Sequence, residues 1–133
     1  MGNDNINIEK ISSHWISRSD RDFDTMNNLM KTNDFHWALF IGHLVIERLL
    51  KAYLVRKTET HAPFTHDLRR LAKLTGLEMD DEQKKWLDTI STFNLNARYD
   101  NYKQDFYKKC TADFAETWVS NIKILRQWIK TKL

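Results

Sequence analysis

The chain has 133 residues, 41% of them apolar and 29% charged, and includes five Trp and seven Phe. That length fits one domain spanning 1–133, and the aromatic content is enough for one compact core. No stretch approaches the ~20 consecutive apolar residues of a membrane span, and the polar N-terminus from Met1 to Lys10 lacks the apolar segment of a secretory signal, so no membrane association is expected. The net charge of +3 is too small to announce nucleic-acid binding. Its distribution is uneven: residues 95–133 carry eight Lys or Arg against four Asp or Glu, whereas residues 1–36 carry four against six. A mildly basic C-terminal third is able to meet phosphate, although a solvated helix face is the favoured account of it. The single cysteine, Cys110, excludes an internal disulfide and suits a reducing compartment, so the cytoplasm is the expected location.

Three glycines and one proline are too few for the turns of a β-rich domain, which points to long helices. The first is predicted over about Ile8 to Met30, with Ile11, Trp15, Phe23, Met26 and Met30 at mainly helical spacings. Thr32-Asn33-Asp34 breaks it and offers N-caps for a second helix, about Phe35 to Arg56. In that helix Trp37, Phe40, Ile41, Leu44, Val45, Leu49 and Ala52 form an apolar stripe, and Gly42 is suited to close helix packing. Lys57 to Thr65, with Pro63, reads as a loop. Thr65 or Asp67 then caps a short helix, Leu68 to Leu74, that ends at Gly76. Asp80 or Asp81 starts the next helix, to Phe93, with acidic residues at its positive N-terminal end. The polar stretch from Asn94 to Lys109 shows no apolar stripe and is expected to be irregular. Thr111 caps a last helix with the stripe Phe114, Trp118, Ile122, Leu125 and Ile129. The expected fold is all-α, an up-down antiparallel bundle of four or five helices.

Irregular segments held by rigid helices are where sites are commonly built, which singles out Arg98, Tyr99, Asp100 and Tyr102. Glu47 and Lys51 sit four apart on the second helix, the spacing of an exposed ion pair, and His61 and His66 lie just beyond that helix. Arg98 has two readings: a bidentate phosphate ligand, or a brace tying its segment to Glu47 or Asp100. No metal is expected, because no H-x-x-x-H pair or cysteine cluster appears, and no cofactor motif such as a Gly-rich phosphate loop is present. Cys110 has no activating motif and is not expected to be a nucleophile.

Four segments together resemble a known family. Trp37-Ala38 followed by His43-Leu44-Val45-Ile46-Glu47-Arg48-Leu49-Leu50-Lys51-Ala52, then Thr65-His66-Asp67-Leu68, then Ala97-Arg98-Tyr99-Asp100, are similar to the ordered motifs of HEPN domains (higher eukaryotes and prokaryotes nucleotide-binding). The resemblance covers about residues 12–130. It implies a helical bundle, usually a homodimer with paired sites on a shared cleft. Many such domains are ribonucleases of toxin–antitoxin and defence systems, and others are paired with a minimal nucleotidyltransferase.

The ribonucleases of the family place a His four to six residues after the Arg. Here Arg98 is followed by Tyr99, Asp100, Asn101, Tyr102, Lys103, Gln104 and Asp105, with no His, and the family's Pro after the Tyr is replaced by Asp100. Metal-independent RNA cleavage needs a base for the 2′-hydroxyl and an acid for the leaving oxygen, tasks that suit His. The sequence reading is therefore a non-catalytic HEPN-like module that binds a partner protein, such as a nucleotidyltransferase, or the phosphate of a nucleotide or RNA. Its candidate ligand-binding residues are Arg98, Tyr99, Asp100, Tyr102, Glu47, Lys51 and His66. The alternatives are an endoribonuclease using Arg98 and His66 as catalytic candidates, and a purely structural dimerisation or interaction protein.

Overall fold

The computed structural model describes residues 7–98 and 100–133, with the side chains of residues 100–103 outside that description. The described residues form six helices: α1 (Ile8–Lys31), α2 (Phe35–Thr58), α3 (Leu68–Thr75), α4 (Asp81–Arg98), α5 (Asp100–Lys109) and α6 (Ala112–Lys132). They contain no strand, so the fold is all-α as expected.

Local chemistry sets most boundaries. Asn7 accepts from the Lys10 amide at the start of α1, and Asp67 accepts from the Arg70 amide at the start of α3. Asp80 and Gln83 form a reciprocal capping box before α4, at 2.7 and 2.9 Å. Thr111 accepts from the Phe114 amide and starts α6. Asp34 differs: its carboxylate accepts from the Thr32 hydroxyl and makes no side-chain cap to α2. α3 ends on Gly76 at φ +72°, the left-handed geometry that glycine adopts without a Cβ penalty.

The main helices α1, α2, α4 and α6 run up, down, up and down. Ser19 donates to the Val45 carbonyl and Arg56 to Ser12, so α1 and α2 are antiparallel. Gly42 faces Ile122 and Arg56 donates to the Leu133 carbonyl, so α6 runs parallel to α2 and antiparallel to α1, to which Arg126 and Lys130 tie it through Asp20. Burial alone would raise the Asp20 carboxyl, but hydrogen bonds and charge from Lys130 and Arg126 hold it below its usual value. Leu68 bonds to Ser91, and Arg69 bonds to Asp88 and the Lys84 carbonyl, which makes α3 and α4 antiparallel.

α2 is the central helix. Rather than one stripe, it is buried on most of its circumference: Ala38, Leu39, Val45, Ile46, Leu49, Leu50, Ala52, Leu54 and Val55 are all in the core, while Trp37 is 37% exposed. Such all-round burial is the signature of a helix packed on several sides. Gly42 marks the tightest contact. A Cβ there would meet Ile122 Cδ1 at 2.5 Å and Met26 Sδ at 3.1 Å, so the missing side chain lets α1 and α6 close on α2.

The described residues between Asn94 and Lys109 are not irregular. Asn94 to Arg98 complete α4, and Asp100 to Lys109 form α5, which raises the helix number above the four or five expected. The reason is tertiary: Ala97, Phe106 and Cys110 are buried, and the Phe106 ring packs 5.5 Å from Phe93. Burial of those few apolar groups outweighs the weak helix preference of the surrounding Asn and Asp.

Candidate functional site

Nine residues, 59–67, connect α2 to α3, and they determine which side chains meet. From Glu47 to Thr58 a helix rises about 16 Å, well within the reach of nine extended residues. The chain uses that reach to double back along α2, placing His66 beside His43 and Glu47. The return is fixed at each step. The Thr65 amide donates to the Pro63 carbonyl at 3.1 Å, the Asp67 amide to the Thr65 hydroxyl at 3.2 Å, and the Leu68 amide to the Ser91 hydroxyl at 3.0 Å.

Around Glu47 a closed polar network results. His66 Nδ1 lies 2.8 Å from Glu47 Oε1, and Lys51 Nζ donates to Glu47 Oε2 at 3.1 Å. His43 Nε2 sits 3.1 Å from the His66 carbonyl and 3.6 Å from Glu47 Oε1. A carbonyl only accepts, so His43 carries its proton on Nε2. Burial drives the His43 pKa down, against the His66 carbonyl and Glu47, and the imidazole is neutral at physiological pH. Its Nδ1 has no hydrogen-bond partner among the described residues. The Lys51 ammonium lies 5.3 Å from the centre of the Trp15 ring.

Glu47 and Lys51 therefore do not form the exposed helix pair expected. They are 3% and 6% exposed, and neither is presented to solvent as a ligand group. His66 is different, because its side chain is 43% exposed. A carboxylate that accepts from Nδ1 fixes the ring and leaves Nε2 with the lone pair when the imidazole is neutral. That is the arrangement of an oriented proton acceptor.

Arg98 does not brace α4 to Glu47, whose two oxygens are taken by His66 and Lys51. It is exposed at the end of α4 and donates to Asn94 Oδ1 at 3.4 Å. Ser91, Asn94 and Arg98 are spaced three and four apart and share one face of α4. Since Ser91 anchors Leu68, that face continues from the His66 turn, and Arg98 stands about 10 Å further along the helix axis. Tyr99 lies outside the described residues, as do the side chains of Asp100 and Tyr102, so their expected roles and the Asp100 brace have no structural account.

Sequence reasoning placed Glu47, Lys51 and His66 among the candidates but missed the groups that assemble them: His43, Trp15 and Ser91. The four-residue spacing of His43 and Glu47 was the available signal. Cys110 is buried, and burial pushes its thiol up to about 12, so it is protonated and inert at neutral pH. No helix of the described residues is long and apolar enough to cross a membrane.

A comparison with curated proteins gives no match. Among solved structures, the chain is similar to the TT1696 protein of Thermus thermophilus, with a TM-score of 0.76, 14% identity, and coverage of 92% of this chain and 98% of that one. At that identity the likeness speaks for the fold alone. The family model of the HEPN domain matches residues 12–132, which take in the Glu47–His66 network, the Thr65–Leu68 turn and Arg98 alike. On that match over nearly its whole length, the chain belongs to the HEPN domain family.

Proposed function

We propose that this chain is a non-catalytic HEPN module, one domain over 1–133, that binds a phosphate-bearing ligand, a nucleotide or RNA, through Arg98. The observation that carries the reading is the state of Arg98. Among the described residues it is an exposed guanidinium held by one long hydrogen bond to a neutral Asn, while Glu47, one of the two acids expected to brace it, is engaged by His66 and Lys51. A guanidinium so placed is available for bidentate contact with phosphate. Titration with nucleotides and short RNAs at low and moderate salt tests it. Binding is expected to weaken roughly ten-fold in Arg98→Ala, the scale of a lost charge-assisted hydrogen bond. Unchanged affinity in that variant removes Arg98 from the site.

The proposal extends to partners. The module acts in the cytoplasm as a homodimer, and as the accessory partner of a nucleotidyltransferase, in keeping with the family resemblance and the single cysteine. Sedimentation of the purified chain, alone and with such an enzyme, measures both associations.

A second reading has its own observation. His66 is oriented by buried Glu47 and offers Nε2 at a half-exposed position, as a general base requires. A metal-independent ribonuclease built on it would cleave single-stranded RNA in EDTA, with turnover lost in His66→Ala and Arg98→Ala. Absence of any cleavage by the pure protein ends this reading and leaves the binding one standing.

A further inference from the structure

Phe64 is fully exposed, yet it is not on a frayed segment. The Thr65 amide bonds the Pro63 carbonyl on one side of it, and His43 holds the His66 carbonyl on the other. Its ring centre lies 6.3 Å from that of His66, within the range of interacting aromatic pairs. A hollow of about 270 Å³, lined by Leu54, Pro63 and Leu74 together with Thr58, Thr60 and His61, opens in the same loop, and Phe64 does not fill it. A phenyl ring wholly in water beside an imidazole fixed through Nδ1 calls for a reason.

The surroundings narrow the ligand. Directly after His66, at Asp67, begins a cleft of about 610 Å³ between α3 and the start of α4. Arg70, Lys73 and Lys84 rim it against the one carboxylate of Asp67, whose Oδ1 accepts from the Arg70 amide, while Arg69 is paired to Asp88. Around Phe64 the surface is mixed rather than one contiguous apolar patch, since Thr65, His66 and Asp67 follow it and Thr58, Thr60 and His61 line the neighbouring hollow. An aromatic face next to a positively charged groove is the combination that holds single-stranded nucleic acid, the ring taking a base and the cations its phosphates.

We propose that Phe64 and His66 form a stacking site for an unpaired base of a single-stranded nucleic acid, whose backbone runs into the cationic cleft beside α3. This rests on the phosphate-ligand reading of the chain and adds the ligand's class: single-stranded, with an accessible base. The same strand passes Arg98 further along α4.

The test measures binding of fluorescein-labelled eight-nucleotide RNA and DNA single strands, the matching duplexes, and inorganic tripolyphosphate as a base-free probe. The wild-type chain is expected to bind at least one single strand more tightly than its duplex. Phe64→Ala should weaken that binding at least about ten-fold, the scale of one lost stacked base, without changing affinity for tripolyphosphate. Phe64→Trp should restore it, with indole fluorescence quenched on binding. Because the ring is fully exposed, Phe64→Ala should melt with the wild type; a lowered melting temperature with unchanged binding overturns the proposal and assigns the ring to the neighbouring hollow. A change of oligomeric state with unchanged binding also overturns it, in favour of a protein contact. Binding that is lost in Arg98→Ala but unaffected in Phe64→Ala sinks this inference alone, whereas a wild-type chain that binds neither strand nor phosphate sinks both readings.

Discussion

His66 Nδ1 lies 2.8 Å from Glu47 Oε1, although one residue sits in the turn before α3 and the other on the buried face of α2. The contact joins an exposed imidazole to a carboxylate that also holds a buried ammonium, so the surface residue and the core share one electrostatic unit. Truncating His66 to Ala should leave Glu47 with Lys51 and a poorly satisfied oxygen, at a cost of about 1–2 kcal/mol in urea unfolding.

The Glu47–Lys51 pair should behave as a buried ion pair. Removing one partner leaves an uncompensated charge, so Glu47→Leu and Lys51→Met are each expected to cost about 3 kcal/mol or more. The double variant should cost much less than the sum, because neither charge remains. A double-mutant cycle by urea denaturation reads the difference, and additive losses would show that the two groups do not depend on each other.

His43 gives the chain a predictable response to acid. In the unfolded chain it takes up a proton as pH falls through 6.5, its ordinary value, while in the folded chain burial keeps it neutral to lower pH. The unfolded chain then binds more protons, so stability is lost as pH falls from about 7 to 5. Of the groups facing His43, Glu47 and the His66 carbonyl favour its protonation, and the Lys51 and His66 charges oppose it. His43→Gln keeps a donor for the His66 carbonyl and does not titrate. Urea unfolding across that range should show a flatter slope for the variant.

Cys110 should be chemically silent in the native state. With the thiol buried and its pKa pushed up to about 12, reaction with a disulfide reagent at mildly alkaline pH should be roughly 100-fold slower than in urea. Comparing thiol release with and without denaturant measures this directly.

Gly76 should resist substitution. It holds φ +72°, and the Lys57 ammonium, which donates to the Thr75 carbonyl at 2.5 Å, fills the space a Cβ would need. Gly76→Ala should therefore cost about 1–2 kcal/mol, through both backbone strain and displacement of Lys57. Calorimetric melting of the two proteins gives the answer.

The helical bundle is legible in the sequence because its information is local. The apolar spacing of α6, the Thr111 cap, the Asp67 cap and the Gly76 stop each lie within a few residues, and short-range hydrogen bonding and burial enforce them. The helicity of Asn94–Arg98 and Asp100–Lys109 is not legible in the same way. It depends on Ala97 and Phe106 reaching a core built by other helices, which no local pattern records.

The site divides along the same line. By itself the sequence determined which groups were available: Glu47 four residues from Lys51, His66 in its turn, and Arg98 in the polar stretch after Phe93. Only the tertiary structure decided that Glu47 and Lys51 are core groups, that Glu47 pairs with His66 and leaves Arg98 exposed, and that Phe64 stands in water. The physical reason is the doubling back of residues 59–67 along α2. Contacts across 19 residues depend on where a loop returns, and burial depends on the several helices packed around α2.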